Sequence, residues 1–507
     1  MGGSGMANNI YDYDEQERAR IMAERRRQRA EAKRRHIRKQ RIFFGSILLI
    51  FILIILLIVR GCSKAKEKRQ ENADPAQIEA QTPETPEVTD PEAQEEPAVQ
   101  VPTADLRTVS IASVGDIMMY DNQIAAATQP NGTYDFTPCF EKVSSYLSGA
   151  DITTANLETT FTDGYDYTGS VPYFNAPVTL ADDMASVGFD VISTANTYSI
   201  LYGVSGLYST IGHVRSAGML NVGTFYTQDE RNTDGGAQFV EVNGVKVAFL
   251  AYTKNVNDMF VPEGSEYAVN ILYEDYCDTY DGIKEEMLIS DVKAAKAAGA
   301  DIVIVLAHWG SEYVFTTRSP QEGVADLLFE NGVDAIIGCH SHVVNAMETR
   351  TVTTVDGEQK EVFIAYGLGN FLSSMNKDYT RETVILNLEF EKDMTSGSVS
   401  LKNVNYVPCY IMETGPDGQT KYQVVNIHDE ISNYLGGKAY SVDEETYNTL
   451  TASLDSIHNH AGAEFDVGGT PVEEPTVEAG QPQALPAASP GQTAQPSGGV
   501  AIPNTED

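Results

Sequence analysis

Hydrophobic positions along this chain follow three regimes. Residues 42–59 read IFFGSILLIFILIILLIV, an apolar run without a charge. Between about 107 and 465, short β-rich apolar runs alternate with stretches of helical periodicity. On either side of that body the patterning fades, into Glu-, Ala-, Gln- and Pro-rich sequence at 70–106 and Pro-, Gly-, Ala- and Gln-rich sequence at 471–507. Within the body the runs predict strands at Val109–Val114, Ile152–Ala155, Asp190–Thr194, Val245–Ala251, Ile302–Ala307, Ala335–Ile337 and Val362–Tyr366. Helical spacing predicts helices at Pro138–Leu147, Leu180–Val187, Gly203–Ser216, Glu285–Ala298 and Gln321–Glu330. Extra strands are expected after Thr383, and a last helix at 441–457 packed back on the body. Strand and helix alternating without an internal repeat is the signature of an α/β domain.

Charge sharpens the division. The chain of 507 residues has a net charge of −37, but residues 1–69 hold 17 Lys+Arg against 7 Asp+Glu, leaving 18 against 65 for the rest. A phosphate backbone would be repelled by such a body, so general nucleic-acid binding is excluded. At a helical rise of 1.5 Å per residue, the apolar run reaches roughly 27 Å, close to a hydrocarbon core. Basic residues are denser before it than after it, which directs the N-terminus to the cytoplasm. The expected organisation is a basic cytoplasmic segment at 1–41, one transmembrane helix at 42–59, a disordered stalk at 60–106, an extracellular domain at 107–465 and a disordered tail at 466–507. Cys139, Cys277, Cys339 and Cys409 fall in the external body, where they are either paired or buried free thiols.

Polar residues of metal-ligand type follow the predicted strands: Asp116, Asn156 and Glu158, Asn196, His308 and Glu312, then His340 and His342. In open α/β sheets, ligands gather outside the carboxyl ends of strands. Imidazole and carboxylate together suit a divalent cation such as Mn, Fe or Zn, able to polarise a phosphoryl or acyl oxygen. Trp309, the single tryptophan, is either a sugar platform or a core wedge beside that site. The pair His458 and His460 has ligand-like spacing but reads as a solvated helix end, and His213 as surface.

Gly115-Asp116-Ile117-Met118-Met119, Asn156-Leu157-Glu158, His308-Trp309-Gly310-Ser311-Glu312, Gly338-Cys339-His340-Ser341-His342 and Tyr366-Gly367-Leu368-Gly369-Asn370-Phe371 occur in this order. Together they resemble the motif set of the bacterial CapA-type capsule-synthesis proteins, which include the PgsA component of poly-γ-glutamate synthesis. The resemblance spans roughly residues 108–375. It implies a four-layer α/β/β/α sandwich similar to calcineurin-like metallophosphoesterases, preceded by one transmembrane helix. It also implies a membrane-anchored extracellular accessory of capsule or poly-γ-glutamate synthesis. Its partners would be other polymer-synthesis membrane proteins and an anionic extracellular polymer. Asp116, Glu158, Asn196, His308, His340 and His342 become the candidate ligands of one or two divalent metal ions. His308 and Tyr198 become candidates for catalysis, and Glu312, Trp309 and Asn370 for substrate contact. Two places depart from the family pattern. Tyr120-Asp121 stands where Gly-Arg is common, and Thr197-Tyr198 where Asn-His is usual. An unperturbed tyrosine, with a pKa of about 10, is a weak acid for leaving-group protonation. The alternatives are a cell-surface metal-dependent hydrolase of phosphoester or amide bonds, and a non-catalytic scaffold.

Overall fold

The computed structural model describes residues 105–468 except 318, 416–420 and 438–441. The expected cytoplasmic segment, the apolar run at 42–59, nearly all of the stalk and most of the tail lie outside the described residues. Among those described, no helix is long and apolar enough to cross a membrane.

Two sheets carry the domain. The first runs edge to edge through Lys421–Asn426, Val399–Thr414, Glu382–Asp393, Leu106–Ile117, Ile152–Leu157, Val191–Ser193 and Leu220–Val222, and Asn370–Leu372 pairs alongside Leu106–Ile117. The second runs through Met347–Thr353, Gln359–Ala365, Ala335–Cys339, Ile302–His308, Val245–Thr253 and Gln238–Val242. Side chains alternate faces along a strand, so each apolar run serves two cores. Ile302, Ile304 and Leu306 join Val109, Ile111, Val247 and Phe249 between the sheets. Val303, Val305 and Ala307 instead meet Leu288, Val292, Val324 and Leu328 of the helices Glu285–Ala297 and Ser319–Glu330. On the other side, Ala112, Val114 and Val407 meet Phe140, Leu147, Leu180 and Met184 from the helices of the first half. Helix, sheet, sheet, helix is therefore the order of layers, each held by an apolar interior.

The predicted strands are present, several extended by a few residues, and the helices at 179–186, 203–216, 285–297 and 319–330 match the periodicity. One helix does not: Pro138–Leu147 is two short helices, Thr137–Phe140 and Ser144–Leu147, separated where Val143 leaves α geometry at φ −119° and ψ 0°. The last helix is Glu444–Ala461. Asp443 caps it by accepting from the Thr446 backbone N–H at 2.8 Å, and Gly462 ends it at φ 94°. Among the described residues the four cysteines form no disulfide, and burial pushes Cys139, Cys339 and Cys409 upward in pKa. Those three stay protonated.

Candidate metal centre

Strand parity decides which residues reach the seam between the sheets. The pairing of Leu106–Ile117 with Ile152–Leu157 slips between Ser113 and Asp116. Val114 and Ile117, three apart, both face the helix layer, so the irregularity turns Asp116 to the seam. Leu157 faces the helices, so Glu158 faces the seam. In the second sheet, Leu306 faces the seam and so does His308, two residues on. The same parity carries Trp309 the other way. Its side chain is fully buried among the helix-side residues, its indole N–H donates to the Tyr366 carbonyl at 3.1 Å, and its ring stacks on Tyr366 at 6.1 Å. The substrate-contact expectation for Trp309 is thereby corrected: a ring closed off from solvent is a core wedge.

Two groups of ligand atoms result, each with its members within 4.8 Å of one another: Glu158, His308 and His340; and Asp116, Glu158 and His342. Glu158 belongs to both. Its Oε1 lies 3.1 Å from His308 Nε2 and its Oε2 lies 3.9 Å from His342 Nδ1. Asp116 accepts at Oδ1 from the Asn156 amide at 2.7 Å and at Oδ2 from the His340 backbone N–H at 3.2 Å, with His342 Nδ1 at 3.3 Å. The sequence brings His340 and His342 onto one turn only by holding both in left-handed backbone, at φ 92° and 58°. Such conformations cost on the order of 1–3 kcal/mol each in a non-glycine residue and persist where surroundings over-determine them. The glycines of the motif set supply that surrounding. A Cβ on Gly115 would stand 1.9 Å from the Gly369 carbonyl oxygen, and one on Gly338 would stand 2.1 Å from that of Tyr366. Gly367-Leu368-Gly369 is thus a place of close backbone approach rather than a phosphate loop.

Imidazole orientation is set by neighbours. Thr253 Oγ1 sits 3.3 Å from His308 Nδ1, Thr197 Oγ1 sits 3.4 Å from His340 Nδ1, and Asn370 Oδ1 sits 2.9 Å from His342 Nδ1. Asn370, itself buried, thus meets the same ring nitrogen that faces Asp116 and Glu158. Thr253 is the member of this set that the sequence reading missed. Its strand runs two residues past the predicted end, and the strand-end rule applied to the longer strand finds it. Asn196 is buried beside the centre, but its Oδ1 accepts from the Tyr198 backbone N–H at 3.0 Å and its Nδ2 donates to the Leu157 carbonyl at 2.6 Å. Both ends of that amide brace backbone.

Electrostatics separates the two ends of the site. Burial, the neighbouring imidazoles and Lys254 hold His340 well below its ordinary pKa, leaving a neutral ring with a free electron pair. Burial also presses His342 downward, but Glu158, Asp116 and Glu312 outweigh it and raise His342 to about 9. Asp116 is lowered, its burial overcome by His342, His308 and Asn156. Tyr198 stands at the rim, packed on Phe174 at 4.8 Å, and burial together with Glu158 and Glu312 pushes its phenol far above the ordinary range. Glu312 is exposed and lines an open cleft of about 310 Å³ with Thr197, Lys254, Asn255, Ser311 and His340. Lys254 donates to the Gly310 carbonyl at 2.6 Å in that cleft, Lys377 lies over the Tyr313 ring at 3.5 Å, and Arg381 pairs with Glu413 at 2.9 Å.

A divalent cation fits this donor set. Glu158 Oε2 is a buried carboxylate oxygen without a hydrogen-bond partner, a costly state that an ion would relieve. Mixed imidazole and carboxylate ligands suit a borderline cation, and the identity of the ion is left open by them. His458 and His460 are elsewhere: His458 bonds Asp466 at 2.7 Å and His460 stacks on Phe315 at 3.9 Å. His213 bonds Asp163 at 3.0 Å.

A layered α/β sandwich with a metal-compatible centre in the seam is the class that fold and site define. Residues 110–375, more than half of the chain, match the family described as bacterial capsule synthesis protein PGA_cap, and the chain belongs to that family. It is 26% identical over 303 residues to the PGA biosynthesis protein CapA of Bacillus subtilis, covering 59% of this chain and 72% of that one. It is 27% identical over 315 residues to the capsule biosynthesis protein CapA of Bacillus anthracis, covering 61% and 69%. Among solved structures, a phosphatase from Mycoplasma pneumoniae aligns with a TM-score of 0.34 and 13% identity over 60% of this chain and 94% of its own.

Proposed function

We propose that this chain serves the synthesis or export of a capsule polymer of the poly-γ-glutamate type, from a single-pass membrane anchor, and works there through its divalent-metal centre. The observation that carries the reading is the sharing of Glu158 between two buried ligand groups, one oxygen of it without a hydrogen bond. A surface carboxylate cluster would not be built this way, since burying carboxylates costs several kcal/mol per ion that close opposite charges must repay. Family membership and the names of the two Bacillus relatives supply the biological setting. The charge asymmetry around residues 42–59 supplies the anchor and its direction.

Asp116 and His342 would hold one side of the centre, His308 and His340 the other, and Glu158 would join them. A bound cation would polarise an acyl or phosphoryl oxygen and acidify a water beside it. The protein's own contribution is positional. Thr253, Thr197 and Asn370 fix the three rings. Depressed basicity at His340 keeps a lone pair available, and the phenols of Tyr198 and Tyr120 stay protonated at the entrance, the latter raised to about 12 by burial, Glu158 and Glu312. The acidic body makes broad adhesion to a polyanion unfavourable, so contact with such a polymer runs through the centre and the cleft that opens onto His340.

The test has two parts. Metal analysis of the purified full chain is expected to give bound divalent cation, lost in Glu158→Gln. In the producing cell, Glu158→Gln is expected to reduce surface polymer at unchanged protein level. Metal-free protein that still folds, together with normal polymer from the variant, would leave the scaffold reading in its place.

A further inference from the structure

Four of the large apolar side chains most open to solvent fall within nine residues: Tyr165, Tyr167, Val171 and Tyr173, at 57%, 45%, 65% and 55% exposure. They belong to the hairpin of Thr168–Ser170 and Tyr173–Asn175 and the loop that enters it. Tyr202 joins them, its ring 4.6 Å from that of Tyr165 and 6.4 Å from that of Tyr173, and Tyr167 meets Tyr134 at 5.5 Å. Exposed aromatic rings so concentrated mark a contact surface.

The hairpin is fastened to the rim of the metal centre. Asp121 accepts from the Gly169 backbone N–H at 2.6 Å and from the Ser170 hydroxyl. Gly169 lies so close to Tyr120 that a Cβ would stand 2.2 Å from the Tyr120 Cα. Phe174 is buried between Tyr120 at 5.2 Å and Tyr198 at 4.8 Å. Asn175 ties the base, accepting from the Thr162 N–H at 2.7 Å and donating back to the Thr162 carbonyl at 3.1 Å. Tyr120-Asp121 and Tyr198 therefore meet at one hairpin and hold it in place. The rings are ordered in advance, which lowers the entropy cost of binding to them.

Charge narrows the occupant. Residues 158–175 contain no Lys or Arg and include Asp163 and Asp166, and residues 196–209 carry no charge. Asp163 is largely in solvent, its side chain 75% exposed. A polyanion is disfavoured here. Tyrosine offers an apolar face for the C–H side of a pyranose ring and a hydroxyl for its edge. We propose that Tyr165, Tyr173 and Tyr202 form a subsite for a glycan chain, uncharged or bearing amino groups, at the entrance to the metal centre. The subsite needs no metal, so it stands or falls apart from the function proposed above.

Binding to the purified full chain, measured by saturation-transfer NMR and by titration calorimetry, provides the test. The probes are chitohexaose, its fully deacetylated counterpart and poly-γ-glutamate. Binding of either saccharide, unchanged by EDTA, is expected. The double substitution Tyr165→Ala, Tyr173→Ala should weaken it about tenfold or more, whereas Tyr173→Phe, which keeps the ring, should retain most of it. Both changes lie at exposed positions, and an unaltered melting temperature and metal content check that the fold persists. The proposal is overturned if neither saccharide binds, if the double variant binds as well as the parent, or if poly-γ-glutamate is captured through the same tyrosines.

Discussion

The floor of the metal centre and its rim are built on opposite principles. On the floor, Asp116, Glu158, His308, His340 and His342 are almost wholly buried, fixed by strand parity, left-handed turns and glycines that admit no side chain. At the rim, Tyr165, Tyr167 and Tyr173 stand in solvent and are fixed by contacts among rings and by one clip from Asp121. The contrast teaches that holding ligand atoms and presenting a surface can rest on different elements of one site.

The largest effect expected is on the floor's scaffolding. Gly115→Ala places a methyl group against the Gly369 carbonyl, where only backbone could yield. A loss of about 3 kcal/mol or more is expected by denaturant unfolding. Val171→Ala on the rim should stay within about 0.5 kcal/mol. Equal losses would erase the distinction.

Next comes the shared ligand. Glu158→Gln should lower metal affinity more than about 100-fold, beyond the 10–100-fold expected for a residue such as Thr253 that only orients a ligand ring. Tyr173→Ala should leave metal content intact. A cation must also displace the proton that His342 holds, whose pKa is raised to about 9. Affinity measured by competition should therefore climb with pH up to about 9. In the metal-free protein the sign reverses: the His342 contribution to stability is complete below the ordinary histidine pKa and is lost as pH rises through about 9.

Away from both regions, Glu382 is buried and raised to about 7, although Ser456 donates to it at 2.7 Å. Its folded pKa lies above the unfolded one, so it is least costly below about pH 4.5 and most costly above 7. Glu382→Gln should stabilise the protein at pH 8 by about 1–3 kcal/mol and leave it nearly unchanged at pH 4.

The smallest effect belongs to Asp466, which accepts from His428 at 2.8 Å and His458 at 2.7 Å. Hydrogen bonding to Asp466 raises His428. Burial pushes Asp466 up, but bonds from the two imidazoles leave it lowered. The pair's contribution is complete between the ordinary Asp and His ranges. It is lost as pH falls through the lowered Asp466 pKa or rises through the raised His428 pKa. His428→Ala should cost about 1 kcal/mol at pH 6, since His458 and the Gly468 N–H still donate to the buried Asp466.

Much of the fold was legible because buried parallel strands advertise themselves. Ile302–Ala307 and Val245–Ala251 are continuous apolar runs, and Gly203–Ser216 carries helical periodicity. The edge strands Gln238–Val242 and Met347–Thr353 and the hairpin at 168–175 were not read, because half-exposed or very short strands lack such a run. Of the site, the strand-end residues could be named, but their direction could not. Trp309 yields to counting in twos from Leu306, since adjacent residues on a strand face opposite ways. Asp116 does not yield, because the bulge that redirects it has no signature in Gly115-Asp116-Ile117. Asn196 reads as a ligand by type and acts as a brace because backbone groups claim both ends of its amide.

Leu106 opens the strand in which Asp116 is the last residue but one, roughly 33 Å away at 3.3 Å per residue. A pull on the chain before Leu106 would therefore enter the domain through the element that positions a candidate ligand. That strand is laced to Glu382–Asp393 from Leu106 to Ser113, so the load would be borne in shear along a row of hydrogen bonds rather than peeled from one end. The same geometry sets the ligand-bearing end of the strand at the pole remote from the point where the chain enters the domain.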